Sequence, residues 1–178
     1  MKIETDDFIL RNWKNEDAER LALIANNKKL YDNLTDAFPY PYYLKDAEAY
    51  ITFAQKEENL STLFAIEING LVNGSMGAFV NKDIYRKNMN IGYYLAEEFW
   101  GKGIMPKVIK AFVKYLFENF DINRVYAEPF TRNIGSRRAL EKAGFKLEAE
   151  LSNNVIKNGV IEGSCIYSVL RENFDADL

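Results

Sequence analysis

Trp100-Gly101-Lys102-Gly103-Ile104-Met105-Pro106 is the stretch on which the reading of the fold turns. Two glycines flank one lysine. The run before it, Met89-Asn-Ile-Gly-Tyr-Tyr-Leu95, alternates like a strand. After it, Met105, Val108, Ile109, Phe112, Leu116 and Phe120 recur at the spacing of one helical face. A strand, a glycine loop and a helix start make an anion site. Glycine reaches torsions closed to other residues, and the first N–H groups of a helix lack intrahelical partners and point outward. Pro106 in the first turn loses nothing, because its missing N–H would have had no partner there. Lys107, Lys110 and Lys114 line the other side of the helix as a solvated face, and Lys107, close to the helix start, is open to a second role on a phosphate.

Working outward toward the N-terminus, Thr62–Ile68 and Leu71–Val80 flank Asn69-Gly70, the strongest short-range hairpin signal. Lys82–Lys87 forms the next turn, and Met89–Leu95 is the third strand of the meander. A second helix covers roughly Asp46 to Glu58, with Ala47, Tyr50, Ile51 and Ala54 on one face. Phe8–Trp13 reads as a first strand. Asn15 is placed to cap a helix whose Ala18, Leu21, Ala22 and Ala25 share a face. Between these helices, Phe38-Pro-Tyr-Pro-Tyr-Tyr43 suits neither a helix nor a central strand. Two readings stand for it: a rigid packed loop, or a pocket wall in which Phe38, Tyr40 and Tyr42 contact a substrate.

Toward the C-terminus, Arg124–Phe130 reads as a strand. A strand–helix–strand unit of this length implies parallel pairing at that point. A shorter helix follows, capped by Asn133 with Ser136 at its third position, and Gly144 ends it in a left-handed cap with Phe145 packing back. Lys146–Leu151 and Gly163–Leu170 form a last pair of strands.

Composition bounds the function. The 178 residues suit one domain, 1–178, with a real core. A net charge of −3 without a long basic run argues against direct nucleic-acid binding. No apolar run approaches a membrane span of ~18 residues, and the acidic N-terminus lacks a signal-peptide core. The single cysteine, Cys165, excludes an internal disulfide and suits a cytoplasmic setting as a buried strand thiol. The chain has no histidine. Histidine-dependent triads, Cys-His pairs and His-Glu-x-x-His zinc sites are therefore excluded, and acid–base work falls to carboxylates, tyrosine, lysine, hydroxyls or water.

Two motifs now stand in one order. The first is strand–Gly101-Lys-Gly103–helix. The second is Asn133-Ile-Gly-Ser136-Arg-Arg-Ala-Leu140-Glu-Lys142-Ala-Gly144-Phe145. Together they resemble the GNAT superfamily of acetyl-CoA-dependent N-acetyltransferases. The Asn-x-x-Ser spacing, the Leu-Glu-Lys-x-Gly-Phe ending and the opening Thr5-Asp…Leu10-Arg11 resemble its RimJ/RimL-like branch, which acetylates ribosomal-protein N-termini. The resemblance covers almost the whole chain. It implies an α/β (α+β) fold with a mixed, mostly antiparallel sheet of about seven strands, splayed in the middle between the strand ending near Leu95 and the strand Arg124–Phe130, with helices on both faces.

The same resemblance implies acetyl-CoA as cosubstrate, no metal, and direct transfer to a primary amine acceptor. That acceptor is a protein N-terminus or a small molecule, and a homodimer is open by analogy. Backbone amides of Gly101, Lys102, Gly103, Ile104 and Met105 would hold the pyrophosphate. The backbone of Leu95 would pair with pantetheine amides as an added strand does. Asn133 is either a plain cap, a hydrogen-bond partner of the pantetheine arm, or both. The chain departs from the family in three places. Trp100 and Met105 replace the usual loop ends, and Leu140 stands where many relatives carry an acidic tyrosine. Ser136 is then the candidate to serve the departing thiolate, unless it is only a capping residue. Val155 lies about where some relatives carry a base, which leaves Glu128 as the best replacement if it points inward and a solvated charge if it points out. A CoA-binding module without turnover is the alternative that Leu140 and Val155 keep open.

Overall fold

The computed structural model describes residues 2–174. Among them eight strands form one sheet: β1 Lys2–Glu4, β2 Ile9–Arg11, β3 Leu63–Ile68, β4 Leu71–Val80, β5 Asn88–Leu95, β6 Arg124–Ala127, β7 Lys146–Lys157 and β8 Val160–Leu170. Their order is β1-β2-β3-β4-β5-β6-β8-β7. Strands β5 and β6 run parallel, with Asn88–Asn90 opposite Arg124–Tyr126. The pairs β1–β2, β2–β3, β3–β4, β6–β8 and β7–β8 are antiparallel. The helices are α1 Ala18–Ala25, α2 Lys28–Tyr31, α3 Leu44–Ala54, α4 Ile104–Asn119 and α5 Ile134–Lys142. The mixed, mostly antiparallel sheet is the one the family resemblance implies, with eight strands in place of about seven. The extra strand is β1, too short and too polar to show an alternating pattern by itself.

Other differences have local causes. Asn15 does not cap α1; it opens a 3-10 turn, Asn15–Asp17. The Asp17 carboxylate accepts from the Lys14 N–H at 2.9 Å and is gripped by both terminal nitrogens of Arg11. Strand β6 stops at Ala127 rather than at Phe130. Pro129, two residues on, has no N–H to give to a ladder. The C-terminal hairpin is much longer than the paired segments read from sequence. Asn158 and Gly159 turn it, with φ of 53° and 79°, the same pair of positive torsions that Asn69 and Gly70 supply at 54° and 77°. The polar insertion Ser152-Asn-Asn154, where the β7–β8 register shifts, interrupts the alternation that would have marked the strand.

The chain divides into two compact units, Met1–Gly77 with Tyr93–Lys102, and Ala78–Gly92 with Gly103–Leu178. In the first, Leu21 and Ala25 of α1, Ala47, Ile51 and Ala54 of α3, and Leu63, Ala65 and Val72 of the sheet bury together with Trp13 and Tyr42. In the second, α4 buries Val108, Ile109, Phe112, Val113 and Leu116, which follows from their helical spacing. Leu140, Val125, Tyr167 and Val169 are buried in the same unit. No helix among the described residues is long and apolar enough to cross a membrane.

Candidate active site

The glycine loop takes the conformation its residues require. Gly101 and Gly103 have φ of 74° and 75°, in the left-handed region that costs a side chain about 1–2 kcal/mol. Gly103 is the N-cap of α4, and no side chain caps that helix start. Ile104 and Met105 are the first two helical residues, so their N–H groups belong to the unpartnered set of a helix N-terminus, and Pro106 carries none. The helix runs for 16 residues behind them, long enough for its dipole to favour an anion. Lys102 is exposed, with its Nζ 5.2 Å from the ring centroid of Phe99.

The end of β5 is set by contacts within the first unit. The Ala96 N–H donates to the Asn73 carbonyl of β4 at 2.7 Å. Backbone groups alternate in direction along a strand, so the N–H and C=O of Leu95 point away from β4, as an added pantetheine strand would require. The Leu95 carbonyl accepts the indole N–H of Trp100 at 2.7 Å, a contact sequence reasoning did not reach. Gly74 permits the close approach of β4 to the end of β5: a Cβ there would lie 2.4 Å from the Tyr94 carbonyl oxygen. The connecting turn is clamped by its carboxylates. Arg20 bonds Glu98 at 2.6 Å and also bonds the Asn73 side chain. Glu97 is bound by Lys29 and by Asn27, which together hold its carboxyl below the usual range.

The aromatic segment separates into different environments. Tyr42 is buried, and its ring lies 5.0 Å from that of Phe38, which in turn meets Tyr94 edge-on at 5.4 Å. Tyr40 is exposed and stacks on Tyr31. Two residues not singled out from the sequence complete this group. Tyr50 shares a 2.8 Å hydrogen bond with Ser75, and Tyr94 is on β5 itself. Burial, reinforced by the neighbouring tyrosines, pushes the Tyr94 phenol well up, and burial does the same for Tyr42. These hydroxyls stay neutral across the physiological range.

In the second unit, Asn133 caps α5: its Oδ1 accepts the Ser136 N–H at 3.2 Å. The far end closes with paired bonds, Phe145 N–H to Leu140 C=O at 3.0 Å and Gly144 N–H to Glu141 C=O at 3.1 Å, with Gly144 at φ 91°. This is the Schellman arrangement that the Gly-Phe pair encodes. It holds Leu140 wholly buried. Glu128 is the first residue past β6 and is exposed; its Oε1 accepts from the Ser164 hydroxyl at 3.1 Å. Val155 lies opposite Glu162 in the β7–β8 ladder, and Glu162 is ion-paired with Arg132. Cys165 is buried, which raises its thiol, as expected of a strand thiol without an activator.

Known proteins share the fold and the family. Residues 7–146 match the model of the acetyltransferase (GNAT) domain. A Bacillus subtilis (strain 168) protein named "Putative ribosomal N-acetyltransferase YdaF" is 27% identical over 182 residues, spanning 97% of this chain and 96% of its own. Among solved structures, RimL, the ribosomal L7/L12 alpha-N-protein acetyltransferase in complex with coenzyme A, superposes with a TM-score of 0.85 at 21% identity, over 99% of this chain and 100% of its own. The microcin C7 self-immunity acetyltransferase MccE, in complex with acetyl-CoA and AMP, does so with a TM-score of 0.81 at 24% identity, over 93% of each chain. The match covers most of the chain, and the chain belongs to the GNAT acetyltransferase family, with acetyl-CoA as its acetyl donor.

Proposed function

We propose that residues 1–178 act as a single cytoplasmic N-acetyltransferase domain whose acceptor is a protein N-terminal amine. The observation that carries the reading is the loop Gly101–Met105, with two left-handed glycines opening an uncapped 16-residue helix. The relatives named for ribosomal proteins support the choice of acceptor. So does chemistry: an α-amine, with a pKa of about 8, is far more often neutral at pH 7 than a lysine-like amine near about 10.

Each residue then has a role. The amides of Gly101, Lys102, Gly103, Ile104 and Met105 hold the pyrophosphate. Leu95 pairs with the pantetheine arm, and Asn133 adds a hydrogen bond to it. Glu128 accepts the proton of the incoming amine, directly or through one water. The amine nitrogen bonds to the thioester carbon, the carbon–sulfur bond breaks, and Ser136 donates a hydrogen bond to the departing thiolate. Phe38, Tyr40 and Tyr42 belong to the acceptor side. The wholly buried Leu140 supplies no acid.

Calorimetric binding of acetyl-CoA, followed by thiol release against N-terminal peptides, polyamines and other small amines, tests this reading. Binding with release on an N-terminal peptide is the expected result. Release on polyamines alone moves the acceptor class, and binding without release across the panel favours a silent CoA-binding module. For Ser136→Ala, kcat falls while acetyl-CoA binding holds.

A further inference from the structure

The proposed base is an exposed carboxylate at the end of a strand, and by itself such a side chain samples many rotamers. Here it does not stand alone. Glu128 Oε1 accepts from Ser164 Oγ at 3.1 Å. Ser164 Oγ in turn accepts from Asn154 Nδ2 at 2.8 Å, and Asn154 Oδ1 accepts the Ser164 N–H at 2.9 Å. The direction of this chain is determined chemically. An ionised carboxylate has no proton to give, so the Ser164 hydrogen points at Glu128. Its lone pairs must then face a donor, and the Asn154 amide is oriented with nitrogen toward Oγ and oxygen toward the Ser164 N–H.

The fold is arranged around the same chain. The β7–β8 register shifts between Leu151 and Val155, with Asn153 at φ 53°, which turns the Asn154 side chain back onto Ser164. Ser164 is wholly buried. Cys165 N–H bonds the Pro129 carbonyl at 2.8 Å and Thr131 N–H bonds the Gly163 carbonyl at 2.9 Å, so Ser164 sits locked beside the segment that carries Glu128. Gly163 allows the approach, because a Cβ there would meet Leu151 O at 2.6 Å and Thr131 Oγ1 at 2.7 Å.

We infer that Asn154 and Ser164 are positioning residues that hold Glu128 through one oxygen and leave its other oxygen for the amine. The inference rests on the reading of Glu128 as base. Neither residue touches substrate, so their loss lowers kcat without weakening acetyl-CoA binding.

The test compares Glu128→Gln, Ser164→Ala, Asn154→Asp and the two doubles carrying Glu128→Gln. The readouts are kcat and KM on the best peptide acceptor and calorimetric affinity for acetyl-CoA. Asn154→Asp guards against a folding failure at buried Ser164: it keeps the acceptor for the Ser164 N–H but draws the hydroxyl hydrogen away from Glu128. Expected are a loss of about a hundredfold or more in kcat for Glu128→Gln, and about tenfold for Ser164→Ala and Asn154→Asp. Acetyl-CoA affinity stays level, and neither second substitution causes a further loss once Glu128 is glutamine. Wild-type rates in Ser164→Ala and Asn154→Asp, or losses that persist in the Glu128→Gln background, overturn the positioning role and leave the base standing. A wild-type rate in Glu128→Gln overturns both.

Discussion

The indole N–H of Trp100 donates to the carbonyl of Leu95 at 2.7 Å and closes the turn between the end of β5 and the glycine loop. A carbonyl has two lone pairs, so this bond leaves one for a ligand while fixing where the carbonyl points. Trp100→Phe keeps an aromatic ring and removes the donor. Losing one neutral hydrogen bond of about 1 kcal/mol should weaken acetyl-CoA binding by about fivefold, measured by calorimetry, with little change in the thermal midpoint. Unchanged affinity would show that the turn is held well enough by Arg20 and Lys29.

Gly103 separates backbone strain from crowding. Its φ is 75°, and a Cβ there meets nothing within 4 Å, so Gly103→Ala suffers from torsion alone, at about 1–2 kcal/mol. Acetyl-CoA binding should fall by roughly tenfold. Gly103→Asn should lose less, because asparagine tolerates the left-handed region. Equal losses in the two variants would point to sterics with the cofactor.

Gly74 is the opposite case. Its added Cβ would sit 2.4 Å from the backbone oxygen of Tyr94, and a backbone atom cannot swing aside. Gly74→Ala should destabilise by about 1–3 kcal/mol, the usual range for overpacking, read from a denaturant midpoint. A midpoint matching wild type would mean that β4 and β5 can separate there without penalty.

Glu148 supplies a pH dependence. The Arg124 guanidinium, at 2.5 Å, holds its carboxyl below the ordinary range; burial opposes it in part, and the Ser168 hydroxyl adds a smaller lowering effect. A lowered folded-state pKa stabilises the fold above the unfolded value of about 4.3, and that stability is lost as the pH falls through the lowered value. The group is partly exposed, so the contribution is under about 1 kcal/mol. Glu148→Gln should therefore lower the thermal midpoint slightly at pH 7. It should also flatten the decline between about pH 5 and pH 3. Parallel curves for the two proteins would remove Glu148 from the acid response.

The features legible in the amino-acid order alone are local. The apolar spacing of α4, the left-handed glycines beside Lys102, the Asn133 cap and the Gly144–Phe145 ending each depend on torsions and contacts within a few residues, and each is readable from those residues alone. The turn at Asn158-Gly159 was equally legible, but the polar Ser152-Asn-Asn154 insertion hid the strands on either side of it. Tertiary structure decided the rest. Lys2–Glu4 becomes a strand only because β2 lies beside it. Tyr50 reaches Ser75, and Asn154 reaches Glu128 through Ser164, across separations that no short-range pattern encodes. The division of Phe38, Tyr40 and Tyr42 into half-buried, exposed and buried positions follows from which neighbours the fold brings to each ring. Torsional preference is a property of a residue and its nearest neighbours, whereas the partner of an exposed carboxylate or a strand edge is chosen by packing.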